Sequence, residues 1–147
     1  MKALLILWCS FVFSIEALAI CPQISGNFLC GEKYKEPIYF RSAIINNVQK
    51  YKIDGLVKTV NTVSTEIITD DNIFTTPKKA DVKLQCENST IVKYIGYLDQ
   101  GNGQTFFDFI KVTYSIDDFG DLSVLKESRR GASYELISQT SCIRSAQ

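Results

Sequence analysis

The sequence has no histidine, and it has only one methionine, one tryptophan and three prolines among 147 residues. Without histidine, nucleophile pairs of the Ser–His and Cys–His types are excluded, and the commonest nitrogen ligand of zinc sites is missing. Paired carboxylates of the glycosidase type would need only Asp and Glu, but no sequence feature singles out a pair. We therefore expect no enzyme activity, no cofactor and no metal site.

An excess of charge of one sign is also absent. The chain carries 16 Lys and Arg residues against 16 Asp and Glu residues. A protein without net charge has no general electrostatic attraction to nucleic acid or to an anionic membrane surface. We expect neither as a partner.

The N-terminus lacks an apolar run long enough to span a membrane. Lys2 is followed by 13 residues, 3–15, that are almost all apolar, and then by Glu16, whereas a transmembrane helix needs roughly 20. The segment closes on the small residues Ala17 and Ala19, a pattern typical of a secretory signal peptide. We predict a signal peptide over 1–19 and one all-β domain over 20–147, without a stable membrane anchor after cleavage.

This prediction places the protein outside the cytoplasm, secreted or periplasmic. A lipoprotein anchored at Cys21 is the alternative. Ile20 argues against it, because the residue before a lipidated cysteine is normally small.

Closely spaced cysteine pairs are missing too. Cys9 lies in the predicted signal peptide, which leaves Cys21, Cys30, Cys86 and Cys142. A metal site would favour C-x2-C spacings and a thioredoxin-like site needs C-x-x-C, and neither is present. Four cysteines in a secreted chain predict two disulfides, with three possible connectivities.

What the sequence does contain is a period-two alternation of β-branched and aromatic residues with polar ones, interrupted by turn residues such as Asn46-Asn47 and Asp54-Gly55. This pattern predicts strands. We place them near 24–31, 38–45, 48–53, 56–69, 73–76, 81–87, 90–98, 105–116, 122–128 and 133–142. Short connections favour an antiparallel up-and-down meander of about 8–10 strands, closed into a small barrel because closure removes exposed edges. A disulfide-stapled β-sandwich is the alternative.

The predicted meander suggests a connectivity for the disulfides. Cys30 and Cys86 share the apolar parity of their strands. Cys21 precedes the first strand and Cys142 ends the last, and these two strands pair in a closed meander. We therefore favour Cys21–Cys142 with Cys30–Cys86 over Cys21–Cys30 with Cys86–Cys142. A Cys21–Cys30 bond needs a chain reversal between the two cysteines, because an extended nine-residue step spans roughly 30 Å and bridged Cα atoms lie within about 7 Å.

The first strand carries Gly26-Asn27-Phe28 in a predicted secreted meander. In this respect the chain resembles the lipocalin and calycin group of β-barrels, whose first strand carries G-x-W with the ring plugging the closed end. Phe28 stands where that group has Trp, and the only tryptophan, Trp8, lies in the predicted signal peptide. The resemblance implies that a late arginine packs on the ring, for which Arg129, Arg130 and Arg144 are available.

The stretch "TFFDFIKVTYSI" at 105–116 is the most informative for function. Its alternate residues form an apolar face that includes Asp108, and a carboxylate among apolar groups is costly unless it is paired. One interpretation is a polar contact inside a ligand cavity. In the other, Phe107 and Phe109 face inward and Asp108 faces water. The candidate cavity lining is Phe28, Phe106, Asp108, Ile110, Val112 and Tyr114.

Two non-enzymatic functions remain. The first is a barrel whose interior binds a small, largely apolar ligand. The second is a structural or interaction module of the envelope or secretome, such as an inhibitor, adhesin or assembly factor, which contacts an envelope or extracellular protein through its outer surface. In addition, Asn88-Ser89-Thr90 is a glycosylation acceptor if the chain is made in a eukaryotic secretory pathway.

Overall fold

The structure, a computed structural model, describes residues 21–32, 36–68, 78–97, 110–130 and 132–145. Ten antiparallel strands occur in these ranges. They are β1 (Gly26–Cys30), β2 (Glu36–Ile45), β3 (Val48–Ile53), β4 (Leu56–Thr59), β5 (Val63–Ile68), β6 (Lys78–Glu87), β7 (Thr90–Tyr97), β8 (Ile110–Ile116), β9 (Leu122–Arg130) and β10 (Ser133–Arg144). The prediction of an all-β antiparallel meander is confirmed.

All ten strands belong to one sheet, in the order β4-β3-β2-β1-β10-β9-β8-β7-β6-β5. Strands that follow one another along the chain are neighbours in the sheet except β4 and β5, which lie at its two edges. The first and last strands pair, with Phe28 opposite Arg144 and Cys30 opposite Cys142. The chain therefore closes where its ends meet, and the ladder is open between β4 and β5 over the described residues.

Tight turns connect several of the strands, and their residues explain why. Asn46 and Asn47 have φ of 52° and 59°, and Asp54 and Gly55 have φ of 49° and 86°. Two consecutive residues with positive φ form the turn that best matches the twist of an antiparallel pair, and Asn, Asp and Gly tolerate this conformation. Both predicted two-residue turns are confirmed.

The single strand predicted over 56–69 was wrong. The structure divides it into β4 and β5, with Asn61 between them at φ 62°. Thr62 donates its hydroxyl to the carbonyl of Thr59, and the Asn61 N–H donates to the carbonyl of Leu84 in β6. Side-chain and backbone bonds of this kind stabilise a turn in place of a ladder. The strand predicted over 73–76, residues 105–109 of another and the predicted signal peptide lie outside the described residues.

The sheet curves until distant strands touch across its inner face. The rings of Phe40 on β2 and Tyr114 on β8 lie 5.1 Å apart in an edge-to-face arrangement, although three strands separate them in the sheet. The buried core lies on this inner face. Besides Phe40 and Tyr114 it includes Phe28, Tyr51, Val82, Leu84, Ile91, Ile95, Ile110, Val112, Leu122 and Val124.

Two disulfides staple the sheet, and both proposed connectivities were wrong. The bonds are Cys21–Cys86 and Cys30–Cys142, the third possibility. The prediction that the first and last strands pair was right, and the register of that pair decides which cysteines meet. Cys142 lies directly opposite Cys30, and these two cysteines bond to each other. Cys21, nine residues before Cys30, bonds to Cys86 near the end of β6. Within the described ranges, no helix is long and apolar enough to cross a membrane.

Candidate ligand-binding cavity

One end of the inner face is filled by the Phe28 ring. Phe28 is fully buried and lies edge-on to Phe40, with 6.5 Å between ring centroids. The Arg144 guanidinium lies over the Phe28 ring, 5.2 Å from its centroid. The same guanidinium donates to the carbonyls of Ser25 at 3.1 Å and Gly120 at 3.3 Å. Arg144, one of the three arginines available in the sequence for such a contact, therefore packs on this ring.

Gly26 leaves room for this packing. A Cβ at position 26 would lie 3.3 Å from the Phe28 ring and 3.3 Å from an Arg144 nitrogen. Such contacts are tighter than most side chains tolerate, so a larger residue would displace the ring or the guanidinium. Gly26, Phe28 and Arg144 therefore form one unit, which we call the Phe28 plug.

A cavity of about 330 Å³ opens farther along the inner face. This is within the range of about 300–1,000 Å³ usual for small-molecule sites. Its apolar wall comes from five different strands and consists of Ile38, Leu56, Ile67, Ile68, Tyr114 and Val124. Strands from both ends of the sheet order thus line one space, a consequence of the curvature.

Four charged residues complete the lining of this cavity: Asp54, Glu66, Lys93 and Lys126. Lys93 and Lys126 lie on either side of Val112, because the register pairs Val112 with both of them. Tyr114 and Val124 form the next inward pair toward the β8–β9 turn, whose Gly120 carbonyl bonds to Arg144. The two lysines therefore lie farther from the Phe28 plug than Tyr114 and Val124 do.

Glu66 is held ionised by its neighbours. The Lys58 ammonium and the Ser64 hydroxyl both donate to Glu66 Oε1. Burial alone raises the pKa of the Glu66 carboxyl. The hydrogen bonds from Lys58 and Ser64, with the positive charges of Lys58 and Lys93, outweigh burial and bring that pKa below its ordinary value. Because Lys58 belongs to β4 and Glu66 to β5, this ion pair connects the two edge strands.

The residues predicted as cavity lining fall into three groups. Tyr114 lines the 330 Å³ cavity. Phe28, Ile110 and Val112 are buried in the core, Phe28 as part of the plug. Phe106 and Asp108 lie outside the described residues. All four predicted disulfide cysteines are bonded.

Sequence reasoning missed the two cavity lysines, although their strands carry the signal. Lys93 shares its parity with Ile91 and Ile95, and Lys126 shares its parity with Leu122 and Val124. All four of these apolar residues are buried. A lysine in step with buried residues on a half-buried strand points inward, so the parity argument applied to Asp108 would have found both lysines.

Smaller concavities lie elsewhere on the molecule. One, of about 160 Å³, lies between β4 and β5 and includes Lys58, Ser64 and Leu84 in its lining. Another, of about 260 Å³, is lined by Asn27, Tyr39, Arg41, Lys52 and Gly55. In the ranges that the structure covers, no three His, Cys, Asp or Glu residues cluster as metal ligands would.

Comparisons of the chain with protein-family models, curated proteins and solved structures give no match.

Proposed function

We propose that this chain is a secreted or periplasmic, non-enzymatic β-barrel protein that binds a small, largely apolar ligand in its interior. The observation that carries the proposal is the 330 Å³ cavity with its apolar wall. Removing apolar ligand surface from water stabilises a complex by about 25 cal/mol per Å². A preformed concavity obtains this gain without first having to open.

The Phe28 plug supports a lipocalin- or calycin-like architecture. Such barrels pack a first-strand aromatic ring, preceded by glycine, against a late arginine at their closed end. Gly26, Phe28 and Arg144 reproduce this arrangement, with Phe in place of Trp. The open ladder between β4 and β5 departs from a fully closed barrel.

The two disulfides support a location outside the cytoplasm, because disulfides persist in oxidising compartments. The charged start, short apolar run and small residues over 1–19 support export through a cleaved signal peptide. No catalytic role is assigned to any residue of the cavity.

A neutral environment-sensitive dye, N-phenyl-1-naphthylamine, tests the cavity. We expect saturable binding with one dye per chain. Ile38→Trp adds bulk at a half-buried position on the cavity wall and should weaken binding about tenfold or more, equivalent to losing one well-buried apolar contact. Tyr39→Trp is the matched control, since Tyr39 lies on the same strand with its side chain on the opposite, outer face, and it should leave binding unchanged.

Unsaturable dye binding, or equal loss in both variants, would contradict the proposal. It would favour the second function, an interaction module that uses its outer surface. The apolar tip of the β2–β3 hairpin supports that alternative, because Ile44, Ile45 and Val48 are exposed there. In that case Ile44→Lys with Val48→Lys should abolish association with an envelope or extracellular protein, measured by cross-linking in the host, and leave the free energy of unfolding unchanged.

A further inference from the structure

Two inward-facing lysines give the cavity a chemical preference that its apolar wall does not explain. Lys93 on β7 and Lys126 on β9 flank Val112 at one level of the inner face, and both line the cavity. An ammonium group offers three donors and no acceptor, so it can donate to a ligand in addition to its protein neighbours. The pair therefore provides a strong donor site beside an apolar surface.

The cavity lining carries two lysines, Lys93 and Lys126, and two carboxylates, Glu66 and Asp54. Lys58 lies outside this lining, next to Glu66. Lys58 forms an ion pair with Glu66. Asp54 lies in an exposed turn, where its Oδ1 accepts the backbone N–H of Tyr39 at 3.0 Å. The Lys58 ammonium counters the charge of Glu66, so an anionic group is favoured where Lys93 and Lys126 flank Val112.

We infer that the cavity takes an anionic amphiphile, with its negatively charged head group between the Lys93 and Lys126 ammonium groups. Its apolar body packs against Ile38, Tyr114 and Val124. The lysines, on the side of the cavity away from the Phe28 plug, fix the ligand's orientation, with the apolar part directed toward the plug. This inference rests on the proposed function, since it specifies the ligand class of the same cavity.

A matched pair of dyes tests the inference. 8-Anilinonaphthalene-1-sulfonate and N-phenyl-1-naphthylamine share one aromatic body and differ in the sulfonate. We expect the wild-type protein to bind the sulfonate more tightly. Lys93→Met and Lys126→Met should each weaken sulfonate binding roughly tenfold, the equivalent of one charge-assisted hydrogen bond, and leave the neutral dye unaffected. Met preserves most of the lysine stem, so the wall remains filled.

Two further variants serve as controls for charge and for position. Lys126→Arg retains the charge and should retain the preference for the sulfonate. Lys52→Met removes the same charge from an exposed position on the outer face of β3 and should change neither affinity. Thermal unfolding of each variant identifies any loss of binding that is caused by misfolding.

The outcomes separate the two proposals. Saturable binding of the neutral dye, without a sulfonate preference that depends on Lys93 and Lys126, overturns the anionic ligand but keeps the cavity. Equal weakening of sulfonate binding by Lys52→Met also overturns it, because the preference would then be general surface attraction. Failure of both dyes to bind saturably overturns the proposed function and the inference together.

Discussion

Arg144 is an exposed residue that completes a buried structure. Its guanidinium covers the Phe28 ring and donates to two backbone carbonyls, those of Ser25 before β1 and Gly120 in the β8–β9 turn. Three segments far apart in the sequence are thus held together at the plugged end. Gly26 makes this possible by leaving room for both the ring and the guanidinium.

Replacing Arg144 should therefore destabilise the protein more than replacing another exposed arginine. We expect Arg144→Met to lower the free energy of unfolding by about 1 kcal/mol, from the lost cation–π contact and hydrogen bonds. Arg41→Met is the control, because Arg41 is exposed on the outer face of β2. Urea unfolding measures both. Equal midpoints for the two variants would show that the plug does not depend on Arg144.

The strands β4 and β5 form the two edges of the sheet, and the Lys58–Glu66 ion pair connects them. Lys58 and Glu66 have side-chain exposures of only 6% and 15%. A buried pair need not stabilise a fold relative to apolar residues, but removing one partner leaves a buried charge unpaired. Replacing only one partner of this pair should therefore lower the free energy of unfolding, because the other partner remains buried without its counter-charge.

Glu66→Gln should lower the free energy of unfolding at neutral pH by about 3 kcal/mol. The pKa of Glu66 is lowered in the folded protein, so its contribution is present above the ordinary Glu pKa of about 4.3 and is lost as the pH falls through the lower, folded value. The difference in free energy of unfolding between wild type and Glu66→Gln should therefore narrow below about pH 4. Denaturant unfolding as a function of pH measures this difference.

Asp118→Asn is the matched control for this measurement, since Asp118 is exposed in the β8–β9 turn. It should change stability little at any pH. A difference between wild type and Glu66→Gln that stays constant down to about pH 3 would show that ionisation of Glu66 does not stabilise the fold.

At this scale the sequence predicted elements well where turn residues interrupt a clear alternation, as at Asn46-Asn47 and Asp54-Gly55. It failed at Asn61, because "TVNTVST" contains one asparagine and no glycine or proline within a run rich in β-formers. That turn is stabilised by a long-range bond from the Asn61 N–H to the carbonyl of Leu84. Local sequence does not contain such information.

For the whole molecule, alternation and short connections were sufficient to predict an antiparallel meander whose first and last strands pair. They were not sufficient to predict the disulfides, because connectivity depends on register, and a shift of a few residues changes which cysteines meet. Cys30 reaches Cys142 because β1 pairs with the final residues of β10. The turn at Asn61 likewise separates β4 from β5, which lie at the two edges of the sheet.

The cavity was predictable only in part, for a similar reason. Parity identifies which residues face inward, including Tyr114, Lys93 and Lys126, but it does not reveal whether the interior is filled. The 330 Å³ space forms where residues of six strands and of the β3–β4 turn surround it. Its volume is a property of the sheet's curvature, which no single segment encodes.

Native mass spectrometry of the protein purified from its own host tests the interior site most directly. We expect the native mass to exceed that of the chain with two disulfides by the mass of one small molecule, which denaturation releases. Ile38→Trp should lack this excess, and Tyr39→Trp should keep it. If all three proteins show the mass of the bare chain and none binds N-phenyl-1-naphthylamine saturably, the interior is not a ligand site.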